Sequence, residues 1–69
     1  MPLTFIKEGE TGFIKKVGGK EETRKFLENL GFVTGADVKV VSVANGNLIV
    51  NIKDSRIAIG KDMAARIMV

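Results

Sequence analysis

The chain contains no cysteine, no histidine, no tryptophan and no tyrosine, and only one proline. Each absence removes a class of function. Without cysteine there is no disulfide, no thiolate metal site and no thiol nucleophile. Without histidine, the commonest metal ligand and the commonest general base near neutral pH are both missing. The serines Ser42 and Ser55 therefore have no histidine to activate them, and no Gly-x-Ser-x-Gly elbow is present. Gly18-Gly19-Lys20-Glu21 fails as a phosphate loop: the first glycine of that motif is not at the required spacing, and Glu21 replaces the metal-binding Ser/Thr. It reads instead as a strand-to-helix turn. The eight carboxylates lie beside turns or on the polar side of the one expected helix. Carboxylates alone do not make a selective site for ferrous iron, copper or zinc. The sequence gives no reason to expect an enzyme, a cofactor or a metal site.

Long apolar runs are also lacking. The longest stretch without charge is residues 40–52, and Asn45, Gly46, Asn47 and Asn51 interrupt it. A membrane span needs about 20 mostly apolar residues. The start of the chain has no basic region, and Lys7, Glu8 and Glu10 come too early for a secretory signal. The expectation is a soluble, cytoplasmic protein that meets a membrane only through a partner. Charge of one sign is scarce as well: 11 Lys+Arg stand against 8 Asp+Glu, and no run of like charge exceeds two residues. A dedicated nucleic-acid binder carries a denser basic stripe. The net charge of +3 favours solubility and exerts a weak pull toward acidic partners.

What is present is enough for a folded globule. The chain has 69 residues, of which 45% are hydrophobic. That predicts one domain over residues 1–69, with a radius of gyration of roughly 11 Å and about 60% of the unfolded chain's surface buried.

Residues 13–17 read as a strand ended by Gly18-Gly19. Residues 20–30 read as the single good helix. Glu21 and Glu22 suit the positive end of its dipole, Glu21 and Lys25 stand at i,i+4, and Phe26, Leu27 and Leu30 form the apolar face. Gly31 sits where a left-handed C′ residue ends a helix, with Phe32 and Leu27 as the touching pair of a Schellman motif. Residues 37–44 are rich in β-branched side chains, but their apolar phase slips between Val40 and Val41, which marks a bulge or partial cover on both faces. Asn45-Gly46 is a two-residue hairpin turn. Leu48, Val50 and Ile52 then alternate inward. A turn is expected at Asp54-Ser55, followed by a short strand with Ile57 and Ile59 inward. Asp62 caps one helical turn, and a final strand over residues 66–69 pairs with an N-terminal one. Short, evenly spaced strands with tight turns and one helix describe an all-β domain: a small closed or nearly closed β-barrel with one inserted α-helix.

Five residues stand out as candidate contacts. Arg56 is a lone charge on an apolar strand; it reads as an edge residue paired with Asp54 or Asp37, or as a contact for a partner's acidic group. Ile49 falls among the polar positions of its strand, and Val33 lies in a loop. Arg24 and Lys25 offer positive charge on the helix. The four phenylalanines, Phe5, Phe13, Phe26 and Phe32, are all expected in the core.

Residues 27–38, Leu27-Glu28-Asn29-Leu30-Gly31-Phe32-Val33-Thr34-Gly35-Ala36-Asp37-Val38, resemble the Leu-x-x-Leu-Gly-Phe-x-x-Gly-x-x-Val signature of the ferrous iron transport protein A (FeoA) family. Downstream, Arg56-x-x-Ile59 and Ala64-x-x-Ile67-x-Val69 are similar to the family's closing segment, with Ile59 where leucine is commoner. The resemblance runs over essentially the whole chain. It implies an SH3-like barrel and a small cytosolic accessory of the Feo ferrous iron uptake system. It also implies a partner, the membrane transporter FeoB, contacted at its cytosolic GTP-binding region or its membrane region. The competing reading is a nucleic-acid-binding small β-barrel, distinguished by steeply salt-dependent binding; a direct metal carrier is a third. Leftover edge strands leave weak homo-oligomerisation open.

Overall fold

The computed structural model describes residues 1–69. A 3-10 turn, Leu3–Phe5, precedes six strands: β1 (Thr11–Phe13), β2 (Lys16–Val17), β3 (Asp37–Ala44), β4 (Asn47–Ile52), β5 (Ser55–Gly60) and β6 (Ile67–Met68). Helix α1 (Glu21–Leu30) lies between β2 and β3, and a single turn, α2 (Lys61–Ala64), lies between β5 and β6.

The β-branched run after Gly35 builds the centre of a four-stranded antiparallel sheet ordered β1-β3-β4-β5. Asn45 and Gly46 join β3 to β4 with φ of 49° and 81°, the two left-handed angles that match hairpin twist. The phase slip near Val41 is a bulge: the register jumps between Val40 and Ser42. It lets Val38 and Val40 face the core before the strand bends. A second, two-stranded sheet pairs β2 with β6, and Pro2 bridges to Met68 on the same C-terminal strand. The chain's two ends are thus tied together, with the Val69 N–H donating to the Met1 carbonyl at 2.8 Å. The two sheets make an SH3-like barrel that is open along β5 rather than fully closed.

Helix α1 ends as its sequence dictates. Gly31 has φ 107°, its N–H donates to Glu28 O at 2.9 Å, and the Phe32 N–H reaches back to Leu27 O at 3.0 Å. Those are the two bonds of a Schellman motif. Leu27 and Phe32 are both fully buried. The exposed Glu21–Lys25 pair forms at 3.2 Å. Thirteen hydrophobic residues form one core cluster, from Leu3 to Ile67, and no polar residue is buried. The radius of gyration is 10.4 Å.

Four expectations need correcting. Residues 13–17 do not form one strand. The Ile14 N–H bonds to Ala36 O while the Lys15 N–H bonds to Met68 O, so the chain changes sheets between those two residues. Of the four phenylalanines only Phe32 is in the core; Phe5, Phe13 and Phe26 are 69%, 63% and 52% exposed. In the 3-10 turn, with three residues per turn, Leu3 and Ile6 stack inward and Phe5 points out. On α1 the inward line runs through Thr23, Leu27 and Leu30, leaving Phe26 on the flank. The turn before β5 is Lys53-Asp54, one residue earlier than Asp54-Ser55. Finally, Gly60 occupies the N-cap of α2 and Asp62 lies within its first turn.

Candidate functional site: a polar groove across the sheet

The outward face of the four-stranded sheet is where polar side chains converge. Alternation along each strand sends Lys39, Asn51 and Arg56 to the side opposite the core. Strand register then aligns them: Thr11 pairs with Lys39, Lys39 with Asn51, and Asn51 with Arg56. One polar row therefore crosses all four strands. In the neighbouring row Phe13 stands opposite Asp37. The Gly35-Ala36 loop closes one side. It is held there because the Gly35 N–H donates to Ile14 O at 2.7 Å and the Ile14 N–H donates to Ala36 O at 2.9 Å. The polar row, Asp37 and the Gly35-Ala36 loop, with Lys53 and Asp54, line an open groove of ≈ 830 Å³ in which Ala36 is the sole hydrophobic wall.

The groove carries three cationic side chains, Lys39, Lys53 and Arg56, against the carboxylates of Asp37 and Asp54. Arg56 is exposed, and its Nε–H donates to Asn51 Oδ1 at 3.4 Å. It forms no ion pair with Asp54 or Asp37, since the only salt bridge in the molecule is Lys25–Glu21. Of the two readings of Arg56, the ion pair with Asp54 or Asp37 is therefore not found. A guanidinium has five donors in a fixed fork, so most of Arg56's hydrogen-bonding capacity faces solvent in the groove.

Backbone conformation marks the same place. Lys53 and Asp54 have φ of 48° and 64°, left-handed angles that cost a non-glycine residue roughly 1–2 kcal/mol each. A two-residue hairpin of this kind favours Asn-Gly. Here the strained positions carry a lysine and an aspartate that line the groove. The Lys53 stem lies against Gly31, with its Cδ 3.4 Å from where a Cβ at Gly31 would stand. The Lys53 stem thus lies over the C-terminal end of α1.

The five sequence candidates fall in three places. Ile49 and Arg56 share the outer sheet face: Ile49 lies in the row Ser42–Ile49–Ala58, next to the row of Arg56. Arg24 and Lys25 lie exposed on α1, with Lys25 already paired to Glu21. Val33 belongs to the turn after the helix, where its carbonyl accepts from the Ala36 N–H at 3.0 Å. Both Val33 and Ile49 are only half-exposed. Sequence reasoning did not identify Thr11, Asp37, Lys39, Asn51, Lys53 and Asp54 as a set, because only strand register brings them together. It also missed Phe13 as an exposed aromatic beside the groove. The one available signal was the adjacency of Phe13 and Ile14, of which a strand can turn only one inward. No three carboxylates come close enough to hold a metal ion, and no helix is long and apolar enough to cross a membrane.

Comparison with known proteins gives this surface a context. The Fe(2+) transport protein A of Methanocaldococcus jannaschii is 40% identical over 68 residues, covering 99% of this chain and 83% of that protein. A crystal structure described as iron uptake regulatory protein (FeoA) superposes with a TM-score of 0.91 at 29% identity, over 99% of this chain and 92% of that one. Stenotrophomonas maltophilia FeoA, a prokaryotic SH3 domain protein solved with zinc, shares the fold with a TM-score of 0.86 at 24% identity, over 99% and 87% of the two chains. The FeoA domain model itself matches residues 1–69. With a matching family model, a close archaeal relative and a shared SH3-like fold, this chain belongs to the FeoA domain family, which is not a family of enzymes.

Proposed function

We propose that this protein is a small regulatory accessory of ferrous iron uptake, acting in the cytoplasm by docking its sheet groove on the transporter FeoB at the cytosolic GTP-binding region. The observation that carries this reading is the polar row Thr11–Lys39–Asn51–Arg56, ending in an arginine with no carboxylate partner in its own chain. An exposed guanidinium without a carboxylate partner, at the edge of an open groove, suits a carboxylate or a backbone carbonyl of a partner. Family membership supplies the system: the archaeal relative is named for Fe(2+) transport, and the similar crystal structure for regulation of iron uptake.

The chemistry of the chain favours regulation over carriage of iron. It has no His or Cys, and ferrous iron is held selectively by imidazole, thiolate or a mixed set. The groove is open, polar and small, which suits a transient interface. The aromatic lining that docks proline-rich segments is absent from it.

The test is a binding titration against the purified cytosolic GTPase region of the cognate transporter, with GDP and with a non-hydrolysable GTP analogue. Saturable binding that Arg56→Glu weakens is the expected result. Absence of binding in both nucleotide states, with the membrane region also failing to capture the protein, overturns the reading.

A further inference from the structure

The sheet has one edge that nothing in the chain covers. Strand β5 is six residues long with an unbroken register to β4, from Asn47↔Gly60 to Ile52↔Ser55. The phase of its hydrogen bonds follows from two observations. The two-residue Lys53-Asp54 loop makes Ile52 and Ser55 a bonded pair, and at the other end the Lys61 N–H donates to Gly46 O at 3.0 Å. Antiparallel pairs alternate, so Ser55, Ile57, Ile59 and Lys61 bond toward β4. Arg56, Ala58 and Gly60 turn their N–H groups the other way. None of those three N–H groups finds an acceptor among the bonds outside the regular elements. Arg56 and Ala58 are also exposed.

Such an edge is a template for another strand, and proteins usually guard it with proline, charged side chains, a bulge or covering chain. Strand β5 has no proline or bulge, and its one charge is the exposed Arg56 near its start. We propose that β5 pairs with β5 of a second copy of this chain, antiparallel about a two-fold axis through Ala58. The sequence of the strand is complementary to itself in that register. Ala58 meets Ala58 of the partner subunit, and the two exchange both backbone bonds. Arg56 lies opposite the partner's Gly60, so the two arginines do not oppose each other and each faces a residue with no side chain. On the core side, half-buried Ile57 meets the partner's Ile59, which extends each apolar core across the junction. A shift of the axis to Ile57 sets Arg56 beside the partner's Ala58 and leaves Gly60 unpaired. The edge ends at Gly60 because the chain there turns back to Gly46 and enters α2. With so few residues paired, the contact falls below the roughly 1,200–2,000 Å² of a stable interface. The dimer is therefore weak and concentration-dependent. It does not depend on the transporter reading, since the groove lies on the sheet face and the pairing uses the sheet edge.

Sedimentation velocity over a dilution series from millimolar to micromolar, with amide hydrogen exchange at both ends, tests this. The expected result is a mass rising toward twice that of the chain, with Arg56, Ala58 and Gly60 amides protected only at high concentration. Ala58→Pro deletes the central donor at a position where an edge strand accepts proline. Ala58→Glu sets two like charges directly opposite each other across the two-fold axis, which is destabilising. Both should keep the protein monomeric, and the exposed glutamate remains a fair test if the proline variant fails to fold. A chain that stays monomeric at all concentrations overturns the proposal, as does a dimer that survives Ala58→Glu with β5 amides unprotected.

Discussion

The Phe32 N–H donates to the Leu27 carbonyl at 3.0 Å across a left-handed Gly31, and both side chains are wholly buried. That single bond stops α1 and feeds the chain into the groove loop. At φ 107° any other residue at position 31 is strained, and a Cβ there also meets the Lys53 stem at 3.4 Å. Gly31→Ala should cost about 1–3 kcal/mol, a fall in melting temperature of about 4–8 °C per kcal/mol for a domain of this size. Chemical denaturation checks it.

The phenylalanines offer a sharper contrast. Phe32 is fully buried, while Phe5, Phe13 and Phe26 are more than half exposed. Phe32→Ala should cost about 3–5 kcal/mol, most of the roughly 3–10 kcal/mol available to a chain of this length. Each of the other three alanine variants should stay within about 1 kcal/mol of the parent. Urea midpoints of the four variants decide this.

Strain at Lys53 and Asp54 should be separable from their role in the groove. Replacing the pair by Asn-Gly supplies the residues this turn prefers and should raise stability by about 0.5–2 kcal/mol. It also removes one positive and one negative side chain from the groove. The expected outcome is a more stable protein that binds its partner less well, read by thermal melts and the same titration. Gain in stability with unchanged binding would place the docking surface elsewhere.

Arg56→Glu should leave the fold intact, because the residue is exposed and its only side-chain bond is the long one to Asn51. Partner affinity should fall by about tenfold or more, equivalent to about 1.4 kcal/mol. Lys25→Ala is the matched control. Its exposed pair with Glu21 is worth about 0.3–0.5 kcal/mol to the helix, and it lies off the groove. Calorimetry on both variants distinguishes a groove contact from a general charge effect.

Much of the architecture was legible in the sequence because it is written in local chemistry. Gly31 followed by Phe32 marks a helix stop, Asn45-Gly46 a hairpin, and the slip at Val41 a bulge, each set by constraints acting within a few residues. The candidate site was less legible. Ile49 and Arg56 were singled out on their own strands, yet nothing local says that Lys39, Asn51 and Thr11 share their face. That depends on strand pairing across as many as 28 residues, Thr11 to Lys39, carried on through Asn51 to Arg56, and on the one-residue bulge that sets the register.

Local chemistry along the chain set the alternation, the turns, the helix with its ending, and, through residues 27–38 and 56–69, the family. Composition also determined what chemistry is absent, since residues that are not in the chain cannot be supplied by folding. Tertiary structure decided which phenylalanines are buried, where residues 13–17 change sheets and which side chains form the groove. Hydrophobicity alone makes Phe5, Phe13, Phe26 and Phe32 equivalent. The pairing of β1 with β3, which sets Gly12 opposite buried Val38 and Phe13 opposite exposed Asp37, turns Phe13 outward beside the groove, and the change of sheet that follows, with the Lys15 N–H bonded to Met68 O, goes with the burial of Ile14.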